Sequence, residues 1–237
     1  MIEKTRGIVL RSVNYRDNSV IVHIYTEVFG MQSYLVNGVR NQKGAIRPSH
    51  LMPLNLVEMV VYHKENQDLH RIRELKCTPI LNEVHFDVVK NSIAMFTTEI
   101  LNACIHGEEP NSDLFELLFH FVQVLDLEHD KLANYPIAFL LRLSRYLGCY
   151  PDSNYEDGFL LQIDDGRFSA LEHCHGPTFN RESSALCYEF LKASDWHDVN
   201  PTREQRTALL EELIRYFDYH AFHGRKIKSH VVLREVL

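Results

Sequence analysis

The hydrophobic period of this chain changes once, near Pro79, and that change constrains its fold more than any other feature. Before it lie five short runs, "GIVLRSV", "SVIVHIYTE", "MQSYLVNG", "LNLVEMVVYH" and "LHRIRELKC", rich in β-branched and aromatic residues. In the second, Val20, Val22 and Ile24 alternate with Ile21, His23 and Tyr25, the pattern of a half-buried strand. Turn-forming stretches, "NYRDN", "VFG", Gly38–Leu54 and "KENQD", separate the runs, and no helical run comes between them. Residues 1–80 therefore predict a small barrel or curled sheet.

After Pro79 the apolar residues recur at three and four. Val89, Ile93, Phe96, Ile100 and Cys104 form one helical stripe, with Gly107 as a C-terminal cap and Pro110 barring continuation. Leu114, Leu117, Leu118, Phe121, Val122 and Leu125 form a second. "NYPIAFLLRLSRYLG" offers Asn134 as a cap, Pro136 in the first turn and Gly148 at the end. Residues 149–182 are irregular, with "GFLLQI" and "RFSAL" as a candidate hairpin, and helical patterning returns in "ESSALCYEFLKAS" and "TREQRTALLEELIRYFDYHAFHG". In the last, Thr202 and Gln205 have capping-box spacing. The expected class is α+β: a β domain over 1–80, then a helical domain over 81–237 with an irregular insertion at about 149–182.

No run approaches the length of a membrane span, and "MIEKTRGIVL" lacks an apolar signal core, so a cytoplasmic protein is expected. The five scattered cysteines read as reduced thiols. Net charge is −7, but residues 1–80 hold 11 Lys and Arg against 7 Asp and Glu, whereas residues 81–237 hold 14 against 25. That opposition points to an N-terminal module for a polyanion on an acidic body. Its most basic stretch, "GVRNQKGAIRPSHLMPL", carries Arg40, Lys43 and Arg47 and no acid.

Residues Gly7-Ile8-Val9-Leu10, Tyr15-x-Asp17-x-Ser19, Thr26-x-x-x-Gly30 and Gly38-x-Arg40 resemble, in order and spacing, the N-terminal pattern of the RecO family of bacterial recombination mediators. "LLRLSRYLGCYPD" and "GRKIKSHVVLREVL", the latter through Lys228-Ser229 and Leu233, are similar to the middle and end of that family. The resemblance implies an OB-fold barrel followed by a helical domain. It also implies binding of single- and double-stranded DNA, strand annealing, and work with RecR and the single-strand-binding protein SSB to load RecA, at the nucleoid.

In that light the basic stretch is a phosphate-binding loop. Arg40, Lys43 and Arg47 would displace condensed counterions, and Gly38 and Gly44 would let the loop bend toward phosphates. Tyr25 and Tyr34, with Phe29 nearby, are the candidate base-stacking rings. Arg11, Arg16, Arg71, Arg73 and Lys76 would extend the surface, with Arg71 and Arg73 placed on one strand face by their alternation with Ile72.

Many members of the family carry a four-cysteine zinc site in the segment that here follows Gly148. A structural zinc site needs four ligands, usually in C-x-x-C pairs. This chain has no C-x-x-C; Cys149, Cys174 and Cys187 stand singly, with His173 and His175 flanking Cys174. No metal or other cofactor is expected; the alternative is a residual zinc site from Cys149, Cys174, Cys187 and one histidine. Cys104 with His106, and His220 with His223 but without an H-E-x-x-H motif, do not make a catalytic set, and there is no P-loop. The reading is a non-enzymatic binder. The alternatives are an RNA-binding or translation-linked OB-fold protein and, more remotely, a metal-dependent enzyme built on some of the 14 histidines.

One helix invites a further expectation. From Pro136 to Leu147, Ile137, Leu140, Leu141, Ser144 and Leu147 form a core stripe, while Phe139, Arg142 and Tyr146 line the other side with Arg145 beside them. An aromatic wall edged by arginine suits an acidic peptide ending in an aromatic residue, and the resemblance implies such a ligand, the C-terminal tail of SSB.

Overall fold

The computed structural model describes every residue except 40–44, 65–66, 106 and 108. The chain divides into two compact units, Met1–Leu127 and Glu128–Leu237.

In the first unit β1 (Ile2–Tyr15), β2 (Ser19–Thr26), β3 (Gly30–Asn37), β4 (Leu56–Tyr62) and β5 (His70–Cys77) close into a barrel in the order β1-β2-β3-β5-β4. This is the expected OB-fold. β1 pairs with β4 over Ile2–Ile8 and with β2 over Gly7–Tyr15. A short parallel seam, Tyr34 with His70 and Leu35 with Arg71, closes the circle. Two irregularities bend the wall: one falls between Val9 and Arg11, and the other leaves Arg73 between the pairs Val60–Glu74 and Val61–Ile72. Val9, Val22, Ile24, Tyr34, Val57, Met59 and Val61 fill the interior, joined by Val39, Ile46 and Leu51 from the segment between β3 and β4. Gly7 faces this core, where a Cβ would come within 2.5 Å of Ile24 Cγ2, so no side chain fits.

Two helices complete the unit, α1 (Val88–Cys104), capped by the Asp87 carboxylate, and α2 (Ser112–Leu127), capped by Asn111. Ile93, Phe96, Ile100 and Cys104, then Leu114, Leu118, Phe121, Val122 and Leu125, are buried as their spacing predicts. α2 docks on the barrel through Arg6, which forms two parallel 2.8 Å hydrogen bonds to Glu27 and a third to Glu116. Its guanidinium lies 5.2 and 5.1 Å from the rings of Phe115 and Phe119. The end of α2 is tied by Asp126, whose carboxylate accepts from the backbone N–H groups of Asn82, Glu83 and Val84 at 2.9, 2.8 and 3.0 Å. Lys90, only 2% exposed, donates to the Asp126 carbonyl at 2.7 Å and to the Glu83 carboxylate at 2.5 Å. Burial alone would push the Asp126 carboxyl up, but the three N–H donors and Lys90 outweigh it and hold the group below its ordinary value.

The second unit contains α3 (Tyr135–Tyr146), β6 (Leu160–Leu161), β7 (Phe168–Ser169), α4 (Arg181–Lys192), α5 (Arg203–His220) and α6 (Ser229–Val236). The capping box of Thr202 and Gln205 starts α5 as its spacing predicts. Asn134 does not cap α3; its amide donates to the carbonyls of Trp196 and Val199 at 3.2 and 2.9 Å, so a tertiary bond replaces the local one. The insertion is the expected hairpin, with Leu160 opposite Ser169 and Leu161 opposite Phe168. Phe168 packs edge-on to Tyr155 and Tyr188, which stack at 4.8 Å. From α5, Tyr216 donates to the Cys149 carbonyl at 2.9 Å and His220 to the Ile163 carbonyl at 2.6 Å.

The cysteines of this unit do not fit a zinc site. Burial pushes the Cys149 thiol up to about 11 and that of Cys187 up to about 12. Cys174 Sγ donates to the carbonyls of Ser169 and Ala170 at 3.8 and 3.4 Å. Among the described residues, no three His, Cys, Asp or Glu side chains are placed to share a metal ion.

Three outcomes follow. Asp126→Ala strands the three backbone N–H groups of Asn82, Glu83 and Val84 and leaves both Lys90 hydrogen bonds in place, so urea unfolding of the first unit loses about 1–3 kcal/mol. Because the folded Asp126 carboxyl lies below its unfolded value, its stabilisation is present above the unfolded value and lost as pH falls through the folded one. The acid side of the stability profile is therefore shallower in Asp126→Asn than in wild type. Since packing closes the insertion, dialysis against a chelator leaves the thermal midpoint unchanged; a lowered midpoint counts against this account.

Candidate nucleic-acid interface

Strand register decides which side chains of the barrel face outward. Val22 and Tyr34 are opposite one another and buried inside, so their neighbours project to the outer wall. Three outward rows cross β1, β2 and β3: Arg11–His23–Ser33, Val13–Ile21–Leu35 and Tyr15–Ser19–Asn37. β5 adds Arg71 beside Leu35. Val13 and Tyr15 are 44% and 38% exposed, and Ile21 and Leu35 are half-buried. The result is an apolar centre with Arg11 on one side, Arg71 on another and Tyr15 at the turn.

Local contacts set the polar groups of this face. Arg11 Nη2 donates to His23 Nε2 at 3.2 Å, and the other ring nitrogen of His23 is 3.0 Å from Ser33 Oγ. Partial burial and then the Arg11 charge hold the His23 imidazole below its ordinary value. In the β1–β2 turn Arg16 adopts a left-handed backbone, φ 56°, and its guanidinium lies 5.2 Å from the Tyr15 ring. The Asn18 carbonyl of the same turn accepts from Gly38 and Val39 at 2.8 and 3.2 Å. The turn is thus fastened to the start of the basic stretch. Arg47 is exposed at the head of a short 3-10 helix, Pro48–Leu51, while Arg40 and Lys43 lie outside the described residues.

Several sequence expectations need correction. Tyr25 and Tyr34, 1% and 0% exposed, present no ring to a base. Tyr25 faces outward but is covered by α2, its ring 6.1 Å from Phe115 and its hydroxyl 3.4 Å from the Asn111 carbonyl. Tyr34 faces the barrel core. Arg71 and Arg73 do not make a simple alternating pair, because the irregularity at Arg73 puts it and Glu74 outside together, 3.4 Å apart. Lys76 pairs across to Glu58, which pairs in turn with Arg6. Arg6, Glu27, Glu58, Glu74 and Lys76 line a groove of about 570 Å³ with mixed charge. The basic residues of β5 thus divide: Arg71 joins the acid-free face, Arg73 and Lys76 the mixed one.

On α3, Phe139 is 1% exposed and cannot wall a peptide pocket, because the helix is buried all round from Tyr135 to Leu141. Arg142, Arg145 and Tyr146 are exposed. Arg145 donates to the Tyr150 hydroxyl at 2.7 Å and lies 4.2 Å from that ring. Of the candidate catalytic groups, Cys104 is buried and His220 bonds a backbone carbonyl, while His106 lies outside the described residues. Tyr15, His23, Ile21 and Leu35 were not singled out from sequence as site residues; β2 alternation separates His23 and Ile21 from the core set, but only pairing places them beside Arg11 and Arg71.

Among the described residues, no helix is long and apolar enough to cross a membrane. Residues 1–80 match the family model for the N-terminal region of recombination protein O, and residues 85–229 match that for its C-terminal region. A protein named DNA repair protein RecO from Flavobacterium psychrophilum is 33% identical over 235 residues, covering 98% of each chain. Proteins of the same name from Azobacteroides pseudotrichonymphae and Phocaeicola vulgatus are 30% and 31% identical over 239 residues, each covering 100% of this chain and 99% of its own. With a closed OB barrel followed in sequence by a helical region, and the two family models matched over residues 1–80 and 85–229, the chain belongs to the RecO family.

Proposed function

We propose that this protein acts in DNA repair and recombination as a non-enzymatic mediator that binds single- and double-stranded DNA on the outer face of β1, β2 and β3. The observation that carries this reading is the gathering of Arg11, Arg16 and Arg71 around Val13, Ile21, Leu35 and Tyr15. Between Ile8 and Asn37 the only acids are Asp17, in the turn, and Glu27, already bound to Arg6. Arginines neutralise phosphates, and an exposed tyrosine stacks on any base, so such a face holds a strand without reading its sequence. Annealing follows from the same chemistry: two strands whose phosphates are screened by one surface repel each other less. Gly38 and Val39, where the basic stretch begins, are bonded to Asn18 of this face, and Arg40, Lys43 and Arg47 further along the sequence would extend it.

Family membership supports RecR and SSB as partners and RecA loading as the outcome, in the cytoplasm at the nucleoid. For the SSB tail the reading keeps Arg142, Arg145 and Tyr146 on α3 and drops Phe139.

Single-stranded DNA affinity should fall with salt at a log–log slope of about −0.7 per phosphate contacted. Arg11→Ala, Arg16→Ala and Arg71→Ala together should flatten that slope by about 2, whereas Arg73→Ala with Lys76→Ala leaves it nearly unchanged. An unaltered slope in the triple variant removes the face from the interface. Tyr15→Ala should cost about 1–3 kcal/mol of affinity. Preference for RNA over a matched DNA oligonucleotide would overturn the assignment. A labelled SSB tail peptide should lose about tenfold in affinity, or 1.4 kcal/mol, for Arg142→Glu; equal binding places that partner elsewhere.

A further inference from the structure

We propose that Arg11 and His23 form a phosphate clamp that takes up a proton when it engages a nucleic-acid backbone. This rests on the DNA-binding reading above and adds a chemical device to it. The geometry fixes the protonation state of the free protein. A guanidinium only donates, so His23 Nε2, 3.2 Å from Arg11 Nη2, must be the acceptor and carries no proton. The ring is therefore neutral, with its proton on Nδ1, where it donates to Ser33 Oγ at 3.0 Å.

A phosphodiester oxygen is an acceptor with a negative charge. When it draws the Arg11 N–H groups to itself, Nε2 loses its donor and faces a second acceptor. Two acceptors cannot share the site unless a proton is added. Taken from solvent, that proton makes His23 an imidazolium that donates from Nε2 to the phosphate and still from Nδ1 to Ser33. No covalent bond changes, and the bound state gains one positive charge beside Arg11.

The surroundings favour the switch. β1 presents Arg11 and Val13 to His23, β3 presents Ser33 with Met31 and Leu35 beside it, and on β2 itself the neighbours are Ile21 and Tyr25, whose hydroxyl points to Asn111. Arg11 is the one formal charge in that row, and no carboxylate stands in any of the three rows to hold the imidazolium before phosphate arrives. The ring is also half-buried, which disfavours a charge without a partner.

The test uses the full chain and an oligothymidylate of fixed length at constant salt, from about pH 5.5 to about pH 8. Affinity should rise as pH falls, by up to about tenfold per unit, the limit for one proton taken up. Calorimetry in buffers of different ionisation enthalpy should count that proton directly. His23→Gln keeps an acceptor for Arg11 without a titrating group. It should still bind DNA at about pH 8, but with a flatter pH profile and less proton uptake. An equal pH slope and equal uptake in wild type and His23→Gln overturns the clamp and leaves the DNA-binding face standing. Absence of DNA binding at every pH overturns both.

Discussion

β1 serves as two strands, and the barrel depends on it. Its first half pairs with β4 and its second with β2, so the sheet returns to its starting strand and only the short β3–β5 seam remains to be made. A strand shared between two neighbours over 14 residues must bend, and the irregularity between Val9 and Arg11 is where it does so. That single extra residue has a chemical consequence. Without it, alternation from Val9 would send Arg11 inward and Ser12 outward. With it, Arg11 turns to the outer wall, and Ser12 turns in to donate to the Leu51 carbonyl at 2.8 Å.

The wall closes through a seam of only two residue pairs, and the helices decide which outer face is free. Ile8, Tyr25 and Leu56 face outward yet are fully buried. For Tyr25 the cover is α2, held by Arg6, Glu27 and Glu116, with the far end of the helix locked by Asp126. Among the described residues, nothing comparable covers Val13 or Tyr15. The proposed recognition face is thus defined as much by where α1 and α2 sit as by its own residues.

This explains what was legible in the sequence. The five strands, the helical stripes, the Thr202 capping box and the small hairpin all depend on local period and turn chemistry, which the sequence carries directly. Tyr25 and Phe139 were misread because burial of an outward-facing ring depends on a partner far along the chain, Phe115 for Tyr25. Arg71 and Arg73 were misread because an added residue in a strand leaves the composition of the run unchanged while altering its facing. Lys90 and Asp126 could not be found at all: a buried lysine looks like any surface lysine until a backbone carbonyl 36 residues away is brought to it.

Charge is distributed by the same logic. Residues 1–127 hold 12 Lys and Arg against 15 Asp and Glu, so the unit that carries the basic face is itself net acidic. Attraction to a polyanion then cannot come from net charge and must come from segregation. Residues 81–127, which build α1 and α2, contribute 8 acids and a single base, and that base is the buried Lys90. Among the described residues, the accessible cations stand on the strands and in the loops that join them, and eight of the fifteen acids lie in the segment that builds the helices. A charge separation of this kind acts on orientation. At a distance beyond the Debye length, about 8 Å at physiological ionic strength, the unit is screened. Inside it, in the proposed function, a nucleic-acid strand would be drawn to the strand face and turned away from the helices, so the first productive encounter would be with Arg11, Arg16 and Arg71.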